Sequence, residues 1–170
     1  MKQKKMLMNI LIGLFIMPVI YAQGPGQYVT GQQGPTGGTG GSFYNTTQLG
    51  NNLLSVTIRS GAFIDGIRLN FDSKADPSDI NCGGQGGSPK TLTLIQGEYI
   101  VRVMGKYNRF VEYLYIQTDG TRKQYMEFGN TNTTAPGYFD YQAVEGMKIG
   151  NFVVRGGQYI DAIGVILMKR

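Results

Sequence analysis

Gly157-Gln158-Tyr159-Ile160-Asp161-Ala162-Ile163 repeats the pattern of Gly61-Ala62-Phe63-Ile64-Asp65-Gly66-Ile67. In each copy a glycine, an aromatic and an isoleucine lead to an aspartate, which then runs into alternating apolar residues. That order places each carboxylate where a loop enters a strand. A second pair of stretches is duplicated as well: Gly37-Gly38-Thr39-Gly40-Gly41-Ser42 returns as Gly83-Gly84-Gln85-Gly86-Gly87-Ser88. In a chain with 26 glycines, either motif alone signals no more than a tight turn. Duplication of both halves is much harder to obtain by chance. A third relative, Gly97-Glu98-Tyr99-Ile100-Val101-Arg102-Val103, keeps the glycine, the aromatic and the isoleucine but has Val101 in place of the aspartate. Three variants of one loop–strand unit predict three related sheets around a shared core, two of them bearing a polar site. For the third copy the plainer reading holds, that Gly-x-aromatic-Ile merely starts a strand well.

The rest of the chain reads as all-β. Apolar and polar residues alternate from Leu54 to Arg59, from Ile67 to Phe71 and from Tyr99 to Val103. Leu92 to Leu94, Tyr113 to Thr118, Arg122 to Met126 and Ile149 to Val154 are further expected strands, with Asp119-Gly120 a tight turn between two of them. No stretch after residue 42 sustains a helical period. Short strands parted by Gly, Asn and Asp clusters predict a sandwich, a barrel or a prism.

Upstream, Lys2, Lys4 and Lys5 precede an apolar run from Met6 to Ile20, and Tyr21-Ala22 has the character of a cleavage site. This is the secretory pattern over residues 1–22, too short and interrupted to span a bilayer. Residues 23–36, rich in Gly, Gln and Pro, are expected to form a flexible leader, and residues 37–170 a single domain. Of the formal charge of +5, three units belong to the signal lysines, which leaves +2 without a basic stripe. Nucleic acid is therefore not an expected partner. The absence of His excludes Ser-His-Asp and Cys-His nucleophiles and removes the commonest metal ligand. Asp72, Asp76 and Asp79 lack the spacing of a calcium loop. No catalytic residue, metal or other cofactor is expected. Cys82, the single cysteine, is expected to be an unreactive thiol in a surface turn.

The chemistry suited to these motifs is recognition of adjacent hydroxyls, as on a sugar ring. An ionised aspartate only accepts hydrogen bonds, and its two oxygens can take two neighbouring O–H groups. Glycine in the facing loop removes side chains, so the main chain can approach closely and donate its N–H groups. Neither a metal nor a titrating base is required.

Together with Ile58-Arg59-Ser60-Gly61, Val103-Met104-Gly105, Tyr125-Met126-Glu127-Phe128-Gly129 and the run from Arg155 to Val165, these motifs resemble the jacalin-related lectins over roughly residues 34–169. The resemblance implies a β-prism of three four-stranded Greek-key sheets. It implies one sugar site at Gly41, Gln158, Tyr159 and Asp161, with backbone N–H groups from the first three and the carboxylate from Asp161. Some members have a second site, and the matching residues here are Gly87, Ala62, Phe63 and Asp65. None is implied at the third position, where Val101 stands. Because a leader precedes the glycine loop, the chain resembles the uncleaved type that binds mannose or glucose.

The expected partners are thus mannose- or glucose-type glycans, on polysaccharides or glycoproteins, met outside the cell by a secreted, metal-independent lectin. No membrane span is expected after signal removal, and a homo-oligomer stays open. The alternative is an adhesion module of the same fold that recognises polysaccharide or protein without a monosaccharide pocket. Tyr159 and Phe63, inside the loops, are the candidates for packing against a sugar ring. Tyr113 and Tyr115 read as one side of a strand. Asp72 to Cys82 is longer than the usual connection before the second glycine loop, and Asn151 stands where the family pattern often has glycine.

Overall fold

Alternating side chains build the strands, and the glycine-rich turns set where they end. The computed structural model describes residues 29–46, 52–72, 79–120 and 124–170, and none of these is helical. In chain order the strands are β1 (Val29–Gly37), β2 (Ser42–Asn45), β3 (Leu53–Ser60), β4 (Ile64–Phe71), β5 (Asp79–Gly83) and β6 (Ser88–Thr93). They continue with β7 (Ile100–Tyr107), β8 (Val111–Thr118), β9 (Tyr125–Gly129), β10 (Gly137–Gln142), β11 (Met147–Gly156) and β12 (Ile160–Lys169). The expected signal over residues 1–22 lies outside the described residues, as does the start of the strand expected from Arg122.

The strands fall into three antiparallel groups of four, ordered β1-β12-β11-β2, β10-β7-β8-β9 and β5-β4-β3-β6. The first two groups join through one pairing, Ile149 of β11 with Ile100 of β7. Each group is centred on a hairpin of two long strands: β3–β4, β7–β8 or β11–β12. The inward residues of these hairpins form one continuous core, with Val56, Ile58, Leu69, Leu114, Ile116 and Phe152 fully buried in it. Removing each such side chain from water contributes about 1.5–3 kcal/mol. β11 and β12 are buried on their other face too, where Val153, Ile166 and Met168 form a second cluster.

Three features depart from the sequence reading. Of the residues expected to form a loose leader over 23–36, those from 29 on enter the domain, because β1 pairs with β12 from Val29↔Met168 to Gly37↔Ala162. This polar, glycine-rich segment becomes a strand because β12 offers it a row of backbone partners, a force that composition does not reveal. β5 and β10 were likewise outside the expected strands. Cys82 is not in a surface turn but inside β5, 1 % exposed and packed in the core, where burial pushes its thiol up to about 12. At Asn151, the buried amide oxygen takes a hydrogen bond from the Thr46 hydroxyl at 2.9 Å, so the polar side chain is satisfied inside the sheet.

Candidate functional site

Each central hairpin carries a β-bulge just after its turn, and the extra residue is always acidic. In β3–β4, Ser60 pairs with Ile64 and Arg59 with Gly66, which leaves Asp65 over. In β11–β12, Gly156 pairs with Ile160 and Arg155 with Ala162, leaving Asp161. In β7–β8, Tyr107 pairs with Val111 and Lys106 with Tyr113, leaving Glu112. A bulge re-aims the side chain of its extra residue. That is how carboxylates come to sit in strands whose neighbours are apolar and buried.

The third unit is therefore Asn108-Arg109-Phe110-Val111-Glu112, not the stretch from Gly97 to Val101. Gly97 belongs to the turn that starts β7, at the strand's other end, and Val101 lies within β7. Gly-x-aromatic-Ile opens a strand equally well at either end of the fold, which is why pattern alone misplaced it. The residue in the aspartate position is Glu112.

Three loops close over the three acids through the same main-chain bond. Gly38 N–H donates to the Asp161 carbonyl, Gly84 N–H to that of Asp65 and Asn130 N–H to that of Glu112, each at 2.8 Å. At the first two positions the loop lies directly against the carboxylate. A Cβ on Gly41 would stand 2.7 Å from Asp161 Oδ2, and one on Gly87 2.6 Å from Asp65 Oδ2. At the third position a side chain of the loop itself occupies the carboxylate, since the Thr133 hydroxyl donates to Glu112 Oε2.

An arginine shapes each glycine loop from behind. Arg155 donates from Nε to Gly40 O at 3.1 Å and from Nη2 to Thr39 O and Gly41 O at 2.9 and 3.2 Å. Arg59 does the same for the second loop, reaching Gln85 O, Gly86 O and Gly87 O at 3.0, 2.8 and 3.0 Å. Lys106 occupies the same register in the third unit and reaches Thr133 O at 3.4 Å. A rigid planar fork is suited to gathering several carbonyls at once. Sequence reasoning missed these arginines, although both stand two residues before the glycine of the Gly-x-x-x-Asp motif, a matched offset that was there to be found.

Of the residues expected in the first site, Gly41, Gln158 and Asp161 line one cleft of about 530 Å³, together with Arg109 and Phe110 from the β7–β8 turn. Tyr159 turns away from it. Its ring packs on Phe63 and Phe110, with centroids 5.1 and 5.0 Å away, and Phe63 lies 5.6 Å from Phe110. The rings expected to meet a sugar thus meet one another, half-buried, at the junction of the three turns. In the second expected site, Gly87 faces Asp65 as Gly41 faces Asp161, Ala62 is exposed in its turn, and Phe63 belongs to the ring cluster.

Asp65 and Asp161 are 7 % and 5 % exposed, and burial raises both carboxyl groups above their ordinary 3.8. Nearby donors and cations work the other way: Gly61 N–H and Arg59 for Asp65, Arg109 and Arg155 for Asp161. The result is a pair of largely covered, acceptor-only groups, each facing a bare main-chain loop.

Residues 33–166 match the family model for the jacalin-like lectin domain. The chain belongs to the jacalin-like lectin family, whose members bind carbohydrate and are not enzymes. It is similar to horcolin of barley, Hordeum vulgare, with 30 % identity over 140 residues that cover 77 % of this chain and 92 % of horcolin. Among solved structures it is similar to wild-type Malaysian banana lectin, at 30 % identity and a TM-score of 0.69, covering 82 % of this chain and 98 % of that one. The mannose-binding jacalin-related lectin of Ananas comosus is 25 % identical with a TM-score of 0.67, covering 82 % and 97 %.

Proposed function

We propose that this chain is an exported, metal-independent lectin with two saccharide sites, one at Asp161 and one at Asp65, for mannose- or glucose-type sugars. The observation that carries the reading is the duplicated geometry: a bulge-borne aspartate against a glycine loop that an arginine gathers from behind. At the first site Asp161 accepts two neighbouring sugar hydroxyls, and the N–H groups of Gly41, Gln158 and Tyr159 donate to sugar oxygens. At the second, Asp65 plays the same part with Gly87, Ala62 and Phe63. The mannose-binding lectin of Ananas comosus supports the sugar class. Export rests on the residue pattern from Lys2 to Ala22.

Titration calorimetry of the exported chain with methyl α-mannoside tests this. Two binding events per chain are expected, unaffected by a chelator. Asp161→Asn and Asp65→Asn should each remove one of them. A hydrogen bond to a charged group is worth about 1.5–3 kcal/mol, so each lost carboxylate weakens its site at least roughly tenfold. Sugar binding that survives the double substitution would sink the mechanism.

A further inference from the structure

The two sites are related by the internal repeat but are not chemically alike. Each glycine loop rests between two turns, the one that carries its own aspartate and a neighbour. For the loop Gly38–Gly41 the neighbour is the β7–β8 turn, and a Cβ on Gly38 would run into the carbonyl oxygen of Arg109. For the loop Gly84–Gly87 it is the β11–β12 turn, where a Cβ on Gly84 would run into the carbonyl oxygen of Gln158. Arg109 and Gln158 hold the same place in their units, three residues before Glu112 and Asp161. The rim of one site therefore carries a cation where the rim of the other carries a neutral amide.

Arg109 is exposed and lines the cleft at Asp161. Its guanidinium sits 5.2 Å from the centre of the Phe110 ring and is in no ion pair among the described residues. Its charge is felt at Asp161, where it opposes the effect of burial. It does not fold back to gather loop carbonyls as Arg59 and Arg155 do. An anion on the hexose that Asp161 holds would be repelled by that carboxylate. One sugar residue further out, it would meet the guanidinium instead, whose planar donors match a carboxylate or a sulfate.

We propose that the site at Asp161 selects saccharides bearing an anionic group one residue away from the bound hexose, with Arg109 as the selecting residue, while the site at Asp65 takes neutral saccharides. This rests on the reading of both as sugar sites. The anion is a hexuronate carboxylate or a sulfate ester, which present the same chemistry to a guanidinium.

The test uses three mannosyl disaccharides that share the terminal mannose, with a neutral hexose, a hexuronate or a sulfated hexose as second residue. Calorimetry at low ionic strength on Asp65→Asn isolates the Asp161 site, and Asp161→Asn isolates the other. At the Asp161 site at least one acidic probe should bind about fivefold tighter than the neutral one, as an exposed but well-placed charge pair allows. The preference should shrink in high salt. At the Asp65 site the ratio should stay near one. Adding Arg109→Gln to the Asp65→Asn chain should bring the ratio at the Asp161 site to about one. Neutral binding there without acidic preference overturns this inference and leaves the sugar site standing, and so does a preference that survives Arg109→Gln. Failure of all three probes overturns both.

Discussion

Gly41 and Asp161 are held so close that no side chain fits between them. A Cβ on Gly41 would stand 2.7 Å from Asp161 Oδ2, and its φ of 66° is one that side-chain-bearing residues rarely adopt. Gly87 and Asp65 repeat the relationship at 2.6 Å, with φ 59°. Gly41→Ala should therefore abolish sugar binding at Asp161 and leave the Asp65 site working, at a cost of about 1 kcal/mol or more in stability. Gly87→Ala should do the reverse. Calorimetric stoichiometry with a thermal melt checks both, and two intact sites in either variant would contradict the close approach.

Arg155 and Arg59 should matter for binding although neither faces the sugar. Arg155→Lys keeps the charge, but one ammonium cannot span the oxygens of Thr39, Gly40 and Gly41 as the guanidinium does. Affinity at the Asp161 site should fall roughly tenfold, the equivalent of one or two lost hydrogen bonds. The Asp65 site should be unchanged, and Arg59→Lys should show the opposite selectivity. Equal loss at both sites would mean that the arginines serve the fold rather than their own loops.

Acid should silence binding before it unfolds the chain. Asp65 and Asp161 have carboxyl groups raised above 3.8, so the folded chain takes up these protons more readily than the unfolded chain does. Protonating them costs no stability, but it removes the acceptors that hold sugar, and binding should begin to fade above pH 3.8. Asp140 has the opposite sign. Arg102 grips it through Nε at 2.8 Å and Nη2 at 2.7 Å, holding its carboxyl below the usual value. Its contribution to stability is complete above the ordinary 3.8 and is lost as pH falls through the lowered value. Sugar binding and circular dichroism followed across the same acid titration should separate, with binding lost first.

Cys82 should behave as a reporter of unfolding. Its thiol is packed in the core and pushed up to about 12, so a thiol reagent at neutral pH should not label the native chain. Labelling should track unfolding in denaturant, with the same midpoint as the loss of β-structure. Cys82→Ser, which buries a hydroxyl in an apolar site, should cost about 1–3 kcal/mol. Rapid native labelling would place the thiol outside the core.

The fold was legible where alternation was clean. Ile67, Leu69 and Phe71 of β4 and Val56 and Ile58 of β3 are buried at every second position as expected. Leu54, by contrast, is exposed and Ile100 is buried in place of Val101, because register shifts at Leu53/Ser55 and Ile100/Arg102 turn the alternation over. β1 escaped notice because Val29–Gly37 has little apolar content, and its strand character is lent by β12. The two aspartates and their glycine loops were legible because both halves are duplicated with every glycine and both aspartates in place. The third unit was not: Asn108 and Glu112 replace the glycine and the aspartate, and Gly97-Glu98-Tyr99-Ile100 imitates the start of the motif at the wrong end of β7. The bulges that aim the acids leave no mark in composition, since they are a matter of register between strands. Phe63 and Tyr159 were recognised as loop aromatics, but their shared partner Phe110 belongs to the unit that went unseen.

That ring cluster has a consequence for how the binding end can change. Phe63, Phe110 and Tyr159 come from three separate turns, and each ring touches the other two. Surface turns ordinarily tolerate added or deleted residues. Here an insertion in any one would swing its aromatic out of reach and withdraw support from both neighbours. The cradles can diversify by swapping side chains, as Arg109 and Gln158 already do, while the lengths of the turns stay tied together.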